Sequence, residues 1–237
     1  MRLLRSFKQN QKSSVIIGRL FFHRPRENES MSQFQDAINF RHACKVFDNE
    51  KNISPENFQK ILNFGRLSPS SFGMEPWRFK VVNTTEAREK LRVACWNQPQ
   101  ITDSSHVVVI CAITTDVEPG SDYVGQLFKR RNLPEEATQV YLEKYATHHA
   151  KEIAPRMNTY AWSSKQCYLA LANMMTGAAS LEIDSCPIEG FEKDAVEKVL
   201  NIDTDNEEVA VIVTFGYRAG EQTSRLRLEL DELLRYI

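Results

Sequence analysis

The stretch "SHVVVICAIT", residues 105–114, constrains the fold of this chain more than any other. Its core, Val107 to Ile113, is seven consecutive apolar residues rich in β-branched side chains. A membrane-crossing helix needs about 20 such residues, so the run is too short to span a bilayer. It also lacks the polar alternation of a strand with one wet face, and therefore reads as a strand covered on both sides. "EEVAVIVTFGYR", residues 207–218, has the same character. Two strands of this kind require a sheet with a buried centre and material packed on both faces.

The remaining pattern supplies that material. Phe34, Ala37, Ile38 and Phe40 suggest a first helix ending near "RHACKVFD". Ser54-Pro55-Glu56 is a helix start, with serine as cap and proline at the first helical position. Phe58, Ile61, Leu62 and Gly65 then share a face, and Pro69 marks the stop. "WRFKVVN" reads as a strand, and Thr84 or Thr85 caps the helix "EAREKLRVACW". Residues 121–150 are charged and helical on both sides of Pro134. "YAWSSKQCYLALANMMTGAASLEI" is apolar or small all round, the signature of a central buried helix. "SCPIEGF" breaks the pattern, "EKDAVEKVLNI" forms a short helix, and no repeat or linker divides the chain. These readings give one α+β domain over residues 31–237.

Residues 1–30 differ from the rest. They hold seven arginines and lysines against two glutamates, a surplus of five positive charges in a chain of formal net charge −1. The remainder is thus mildly acidic, and a nucleic-acid groove is not indicated. A transit peptide or a membrane-surface arm would suit such a segment. The expectation taken is a basic, disordered tail, or sequence upstream of a true start at Met31. Five widely spaced cysteines without a C-x-x-C pattern indicate reduced thiols and a cytoplasmic protein.

Common catalytic motifs are absent. The sequence contains no G-x-x-x-x-G-K-[ST], no G-x-G-x-x-G after a strand and no G-x-S-x-G elbow. His148-His149 lacks ligand-spaced partners, so no metal is expected, and the pair reads as solvated helix surface. His106, entering the apolar run, reads as a packed core histidine.

Three stretches combine cationic or polar side chains with Pro, Gly and small residues: "RHACK" (41–45), "SPSSFGMEPW" (68–77) and "CPIEG" (186–190). Arg41 and Lys45 on an extended segment can place two positive groups over a phosphate or an electron-rich ring, and Ser70 and Ser71 offer hydroxyls and N–H groups. In "RLRL", Arg225 and Arg227 point the same way if extended, an arrangement suited to a terminal phosphate. Taken singly, each stretch also reads as an ordinary turn or surface charge.

In their order and spacing, "FRHACKVFD", "LSPSSFGMEPWRFKVV", "CWNQPQITDSSHVVVICA", "SSKQCYLALANMM", "DSCPIEGF" and "VTFGYR" resemble the nitroreductase family of FMN-dependent NAD(P)H oxidoreductases, in particular its bacterial flavin reductase and nitroreductase branch. The resemblance covers the chain from Met31 onward. It implies a central, mostly antiparallel sheet flanked by helices in an intertwined homodimer, with FMN held between the subunits and NADH or NADPH as electron donor. By position, it assigns Arg41, His42, Ala43 and Lys45 to the FMN phosphate and flavin, and Ser70, Ser71 and Gly73 to the FMN of the partner. It places Asn97 and Gln100 near the pyrimidine edge or ribityl chain, and Pro187, Ile188, Glu189 and Gly190 along the ring, with Glu189 near N5. Arg225 and Arg227 fall on the phosphate. Ala43 stands where many relatives have serine, and Gln100 where one branch has lysine, which leaves Lys45 a larger share of the flavin electrostatics. The implied activity is two-electron transfer from NAD(P)H through flavin N5 to nitroaromatic, quinone or flavin acceptors. Reductive dehalogenation, flavin breakdown and non-catalytic flavin binding or redox sensing are the alternatives.

Overall fold

In a computed structural model, the structure describes residues 32–237; the expectations for residues 1–30 lie outside them. Helices α1 (Gln33–Phe40) and α2 (Pro55–Arg66) lead into β1 (Trp77–Val81), followed by α3 (Thr85–Ala94), the single turn α4 (Gln100–Asp103) and β2 (His106–Ile113). Next come α5 (Asp122–Lys129), α6 (Glu135–His148), α7 (Thr159–Ser180), β3 (Asp184–Ile188), α8 (Lys193–Leu200), β4 (Glu207–Gly216) and the turn α9 (Leu230–Leu233). Local chemistry sets the boundaries. The Ser54 side chain accepts from Asn57 N–H ahead of Pro55, and Thr84 accepts from Ala87 N–H. Helix α2 ends at Arg66, three residues before Pro69.

The sheet has the order β1-β2-β4-β3, with every pairing antiparallel. The two apolar runs occupy its centre as β2 and β4, as their composition requires. Alternation along β2 divides the core. Val108, Ile110 and Ala112 pack with Ile61, Cys167, Leu171 and Met174 of α2 and α7. Val107, Val109 and Cys111 pack with Leu91, Ala94 and Val196 of α3 and α8. A third cluster joins Met74, Phe128, Tyr145 and Trp162 beside the sheet.

Three sequence expectations are corrected. "SCPIEGF" does not simply break the pattern, because its first half is the edge strand β3. Ser185 C=O points away from β4 and accepts from Cys44 N–H at 3.0 Å. By alternation Pro187 also faces outward, so its missing N–H removes no bond of the β3–β4 ladder. The second correction concerns His149, which is buried rather than solvated. It lies in a π-helical turn after α6, with Nε2 3.2 Å from Glu118 Oε2. Third, α7 is not covered all round within one chain, since Leu169 and Ala172 on it are exposed. His106 stacks on Phe58 with ring centroids 3.8 Å apart, as a packed histidine does. All five cysteines are buried and unpaired; burial pushes the Cys44 thiol up to about 11 and those of Cys95 and Cys111 up to about 12. No helix of the described residues is long and apolar enough to cross a membrane.

Candidate functional site

Residues 41–45 run extended past the outer edge of β3, with Ala43 bridging Ser185 in parallel. Alternation turns Ala43 and Lys45 outward, where both are exposed, and turns Cys44 inward, where it is buried. Asp184 anchors this segment from beneath. It is 3% exposed and takes an Arg218 Nη2 contact of 2.6 Å, with His42 Nδ1 at 3.5 Å. Burial, followed by the Arg218 charge, pushes the His42 pKa down, and Asp184 opposes this only in part. His42 is therefore a neutral support for the segment. Together with Cys44 and Asp184 it forms a cluster of ligand-type atoms within 4.8 Å. Arg218 already occupies the carboxylate, and the Cys44 thiol is held protonated.

Lys45 Nζ lies 3.7 Å from Cys186 Sγ. Arg225 reaches back from the C-terminal segment, donating from Nη1 to Ile38 C=O at 2.5 Å and to Arg41 C=O at 3.2 Å. Arg41, Arg225 and Arg227 thus form one cationic cluster. Burial, then Arg225, then Arg227 lower the Arg41 pKa, the response of a guanidinium crowded by like charges. No carboxylate of the described residues forms an ion pair with these three arginines. This donor set fits a phosphate dianion, which would relieve the crowding. A cavity of about 180 Å³ opens between residues 42–46 and Arg218, Gly220, Glu221 and Thr223.

The turn after β3 is held from two sides. Gln98 Nε2 donates to Gly190 C=O at 2.8 Å, and Trp96 Nε1 donates to Glu192 Oε1 at 2.8 Å. A Cβ on Gly190 would meet Trp96 Cε3 at 2.7 Å, so only glycine fits under the indole. From α7, Tyr168 Oη donates to Glu189 Oε1. Pro187 and Ile188 complete this strip at the end of β3.

Asn97 and Gln100 differ in exposure. Asn97 is exposed at φ 56°, whereas Gln100 is 5% exposed at the start of α4, with Oε1 lacking a hydrogen-bond partner. Gln98, between them, makes the contact to Gly190. The serine loop contacts different parts of the chain. Ser71 N–H donates to Gln166 Oε1 at 2.9 Å, Ser70 Oγ accepts from Glu75 N–H at 2.8 Å, and Gly73 adopts φ +63°. Arg131 holds this loop through Phe72 C=O at 2.6 Å, and Arg130 pairs with Glu75 at 2.9 Å. Within one chain, then, Arg41, Ala43, Lys45, Pro187–Gly190 and the Arg225–Arg227 pair share one edge of the sheet, while Ser70, Ser71 and Gly73 rest on α7 and the loop after α5. Sequence reasoning missed Tyr168, Gln98, Asp184 and Arg218. All four lie within the quoted motifs, where no role was assigned to them.

A model of the nitroreductase family matches residues 38–217. Bacillus subtilis YfkO, designated an NAD(P)H nitroreductase, is 38% identical over 216 residues, covering 87% of this chain and 98% of that protein. A Staphylococcus epidermidis protein of the same designation is 44% identical over 219 residues, with coverage of 89% and 99%. Among solved structures, Bacillus subtilis ydfN, designated a nitroreductase, superposes with a TM-score of 0.78 at 21% identity, covering 88% of this chain and 100% of that one. A nitroreductase of Exiguobacterium sibiricum in complex with FMN gives 0.73 at 21% identity, with coverage of 88% and 99%. The superpositions establish the fold, and the family match takes in residues 41–45 and 186–190 but ends before Arg225 and Arg227. This chain belongs to the nitroreductase family.

Proposed function

We propose that this chain is an FMN-dependent NAD(P)H oxidoreductase, active as a homodimer in the cytoplasm, that reduces nitroaromatic, quinone or flavin acceptors. The observation that carries this reading is the cluster of Arg41, Arg225 and Arg227, none of them ion-paired with a carboxylate of the described residues, beside an extended cationic segment and a clamped turn. The designation of its relatives as NAD(P)H nitroreductases and the FMN held by a structural neighbour support it.

Arg41, Arg225 and Arg227 would hold the phosphate. The chemistry that a bound FMN supplies is two-electron transfer at ring N5 between NAD(P)H and the acceptor. Lys45 is exposed on the segment and holds its ammonium 3.7 Å from Cys186 Sγ on β3, where positive charge would favour negative charge developing on the ring. Pro187, Ile188, Glu189 and Gly190 would form the wall along the ring, with Gly190 making room for the Trp96 indole packed against the turn. Asn97 is exposed and available to the polar edge of the cofactor, whereas Gln100 is buried at the start of α4. Ser70, Ser71 and Gly73 would serve the partner's cofactor. The cavity of about 180 Å³ supports this division, because sites for ligands of this size occupy roughly 300–1,000 Å³. One chain supplies part of the enclosure.

The test is direct. Purified protein is expected to carry or take up FMN stoichiometrically, and anaerobic NADH or NADPH is expected to bleach the visible flavin band within seconds. Lys45→Ala should bind FMN about tenfold more weakly, the loss of one charge-assisted interaction, and should be reduced more slowly. Protein that neither takes up FMN nor oxidises NAD(P)H would refute the reading. FMN uptake without bleaching would instead favour a non-catalytic flavin binder.

A further inference from the structure

Tyr168 and Glu189 come from separate elements and meet beside the proposed cofactor wall. Tyr168 sits on α7 with 37% of its surface exposed, and Glu189 follows β3 in the exposed turn. The phenol donates to the Glu189 carboxylate. Burial first, then the hydrogen bond and charge of Glu189, push the Tyr168 pKa up, so the phenol remains a donor throughout the neutral range.

This bond adds little to the placement of the turn's backbone, which is fixed independently. Gln98 holds Gly190 C=O, Glu192 N–H donates to Ala94 C=O at 2.8 Å, and Phe191 N–H donates to Glu189 C=O at 3.0 Å. What Tyr168 restrains is the carboxylate itself. A solvent-facing glutamate otherwise samples several rotamers, and ordering it requires a specific partner. At this position the charge is consequential, because the electron donor is a nucleotide bearing phosphates. A carboxylate free to swing over the proposed cofactor wall repels such a donor, through an interaction that salt screens over about 10 Å at 0.1 M.

We propose that Tyr168 is a positioning residue that draws the Glu189 carboxylate against α7 and keeps its charge away from the anionic donor. This rests on the reading of the site as an FMN and NAD(P)H site. It makes the Tyr168–Glu189 pair a determinant of donor affinity, separate from cofactor binding.

The experiment compares FMN-loaded wild type, Tyr168→Phe and the double variant Tyr168→Phe/Glu189→Gln. KM for NAD(P)H is measured at low and high ionic strength, alongside the Kd for FMN. Tyr168→Phe should raise KM about three- to tenfold at low salt, shrink to within about twofold at high salt where screening is short-ranged, and leave the Kd for FMN within about twofold. The double variant should lose the salt-dependent part of the rise. An unchanged KM at low salt, or a rise that ignores salt and persists in the double variant, overturns the proposal. Loss of FMN binding in Tyr168→Phe overturns it too, because that would mark a packing role. Crystal structures of both holoenzymes give a second measure: the Glu189 carboxylate should leave α7 in Tyr168→Phe, and one that stays in place counts against the assignment. A wild type without flavin or NAD(P)H oxidation refutes the site reading itself. An active wild type with an unaltered Tyr168→Phe refutes only the role of Tyr168.

Discussion

Asp184 holds a charge at 3% exposure, and its stability there depends on the donors gathered around it. Arg218 supplies its backbone N–H at 2.9 Å and Nε at 3.0 Å to Oδ2, and places Nη2 2.6 Å from Oδ1. The guanidinium in turn lies 4.3 Å over the Phe40 ring. Removing one partner of a buried pair leaves the other charge without compensation, at a cost of about 3–5 kcal/mol. Arg218→Ala is accordingly expected to lower unfolding free energy by that amount in urea titrations. Arg218→Ala/Asp184→Asn should recover a large part of the loss, since no naked charge remains. An Arg218→Ala protein within about 1 kcal/mol of wild type would show that Asp184 is adequately solvated without its partner. The cations Arg41 and Lys45 were legible in the sequence as charges beside small residues. Asp184 and Arg218 were not, because each reads as an ordinary polar residue flanking a strand. Their burial arises only when β3 and the residues after β4 are laid side by side.

At the scale of elements, β2 and β4 announced themselves through unbroken apolar runs, and the caps at Ser54 and Thr84 set helix starts where expected. β3 was hidden because Pro187 and Gly190 mimic a breaker. Recognising it requires knowing which edge of the strand the proline faces, a property of the pairing. Helix α7 is similar: its small residues were read as burial all round, whereas in one chain they serve close approach to α2. A Cβ on Gly177 would stand 2.1 Å from Phe64 Cδ2, and one on Gly65 would stand 2.8 Å from Met174 Cγ. Gly177→Ala must therefore displace an aromatic ring that packs against the helix. Overpacking of this kind costs about 1–3 kcal/mol, despite the better helix propensity of alanine. The melting midpoint should fall by about 2–4 °C for each kcal/mol lost. A rise in midpoint would mean that Phe64 has free space to turn into.

At the scale of the whole molecule, large apolar side chains stand exposed on the C-terminal segment and on the first two helices. In the C-terminal segment Leu226 is 87% exposed and Leu228 62%, while Phe34 of α1 is 68% exposed and Leu67 at the end of α2 is 62%. A cavity of about 400 Å³ lies among Phe34, Ala37, Phe64, Leu67 and Gly177. Large exposed apolar patches mark interaction faces. In the proposed homodimer the second copy would cover it, and the same association would bring the Ser70–Gly73 loop to the partner's cofactor. The two roles can be separated, because Leu226 and Leu228 alternate with the arginines assigned to the phosphate. Leu226→Glu/Leu228→Glu keeps Arg225 and Arg227 while placing charge in the interface. Sedimentation velocity should then show a shift from dimer to monomer, with FMN lost in parallel as protein is diluted. A variant that remains dimeric with FMN bound would remove the C-terminal segment from the interface. A monomer that keeps its FMN would show that one chain completes the site, and the serine loop would then need another role.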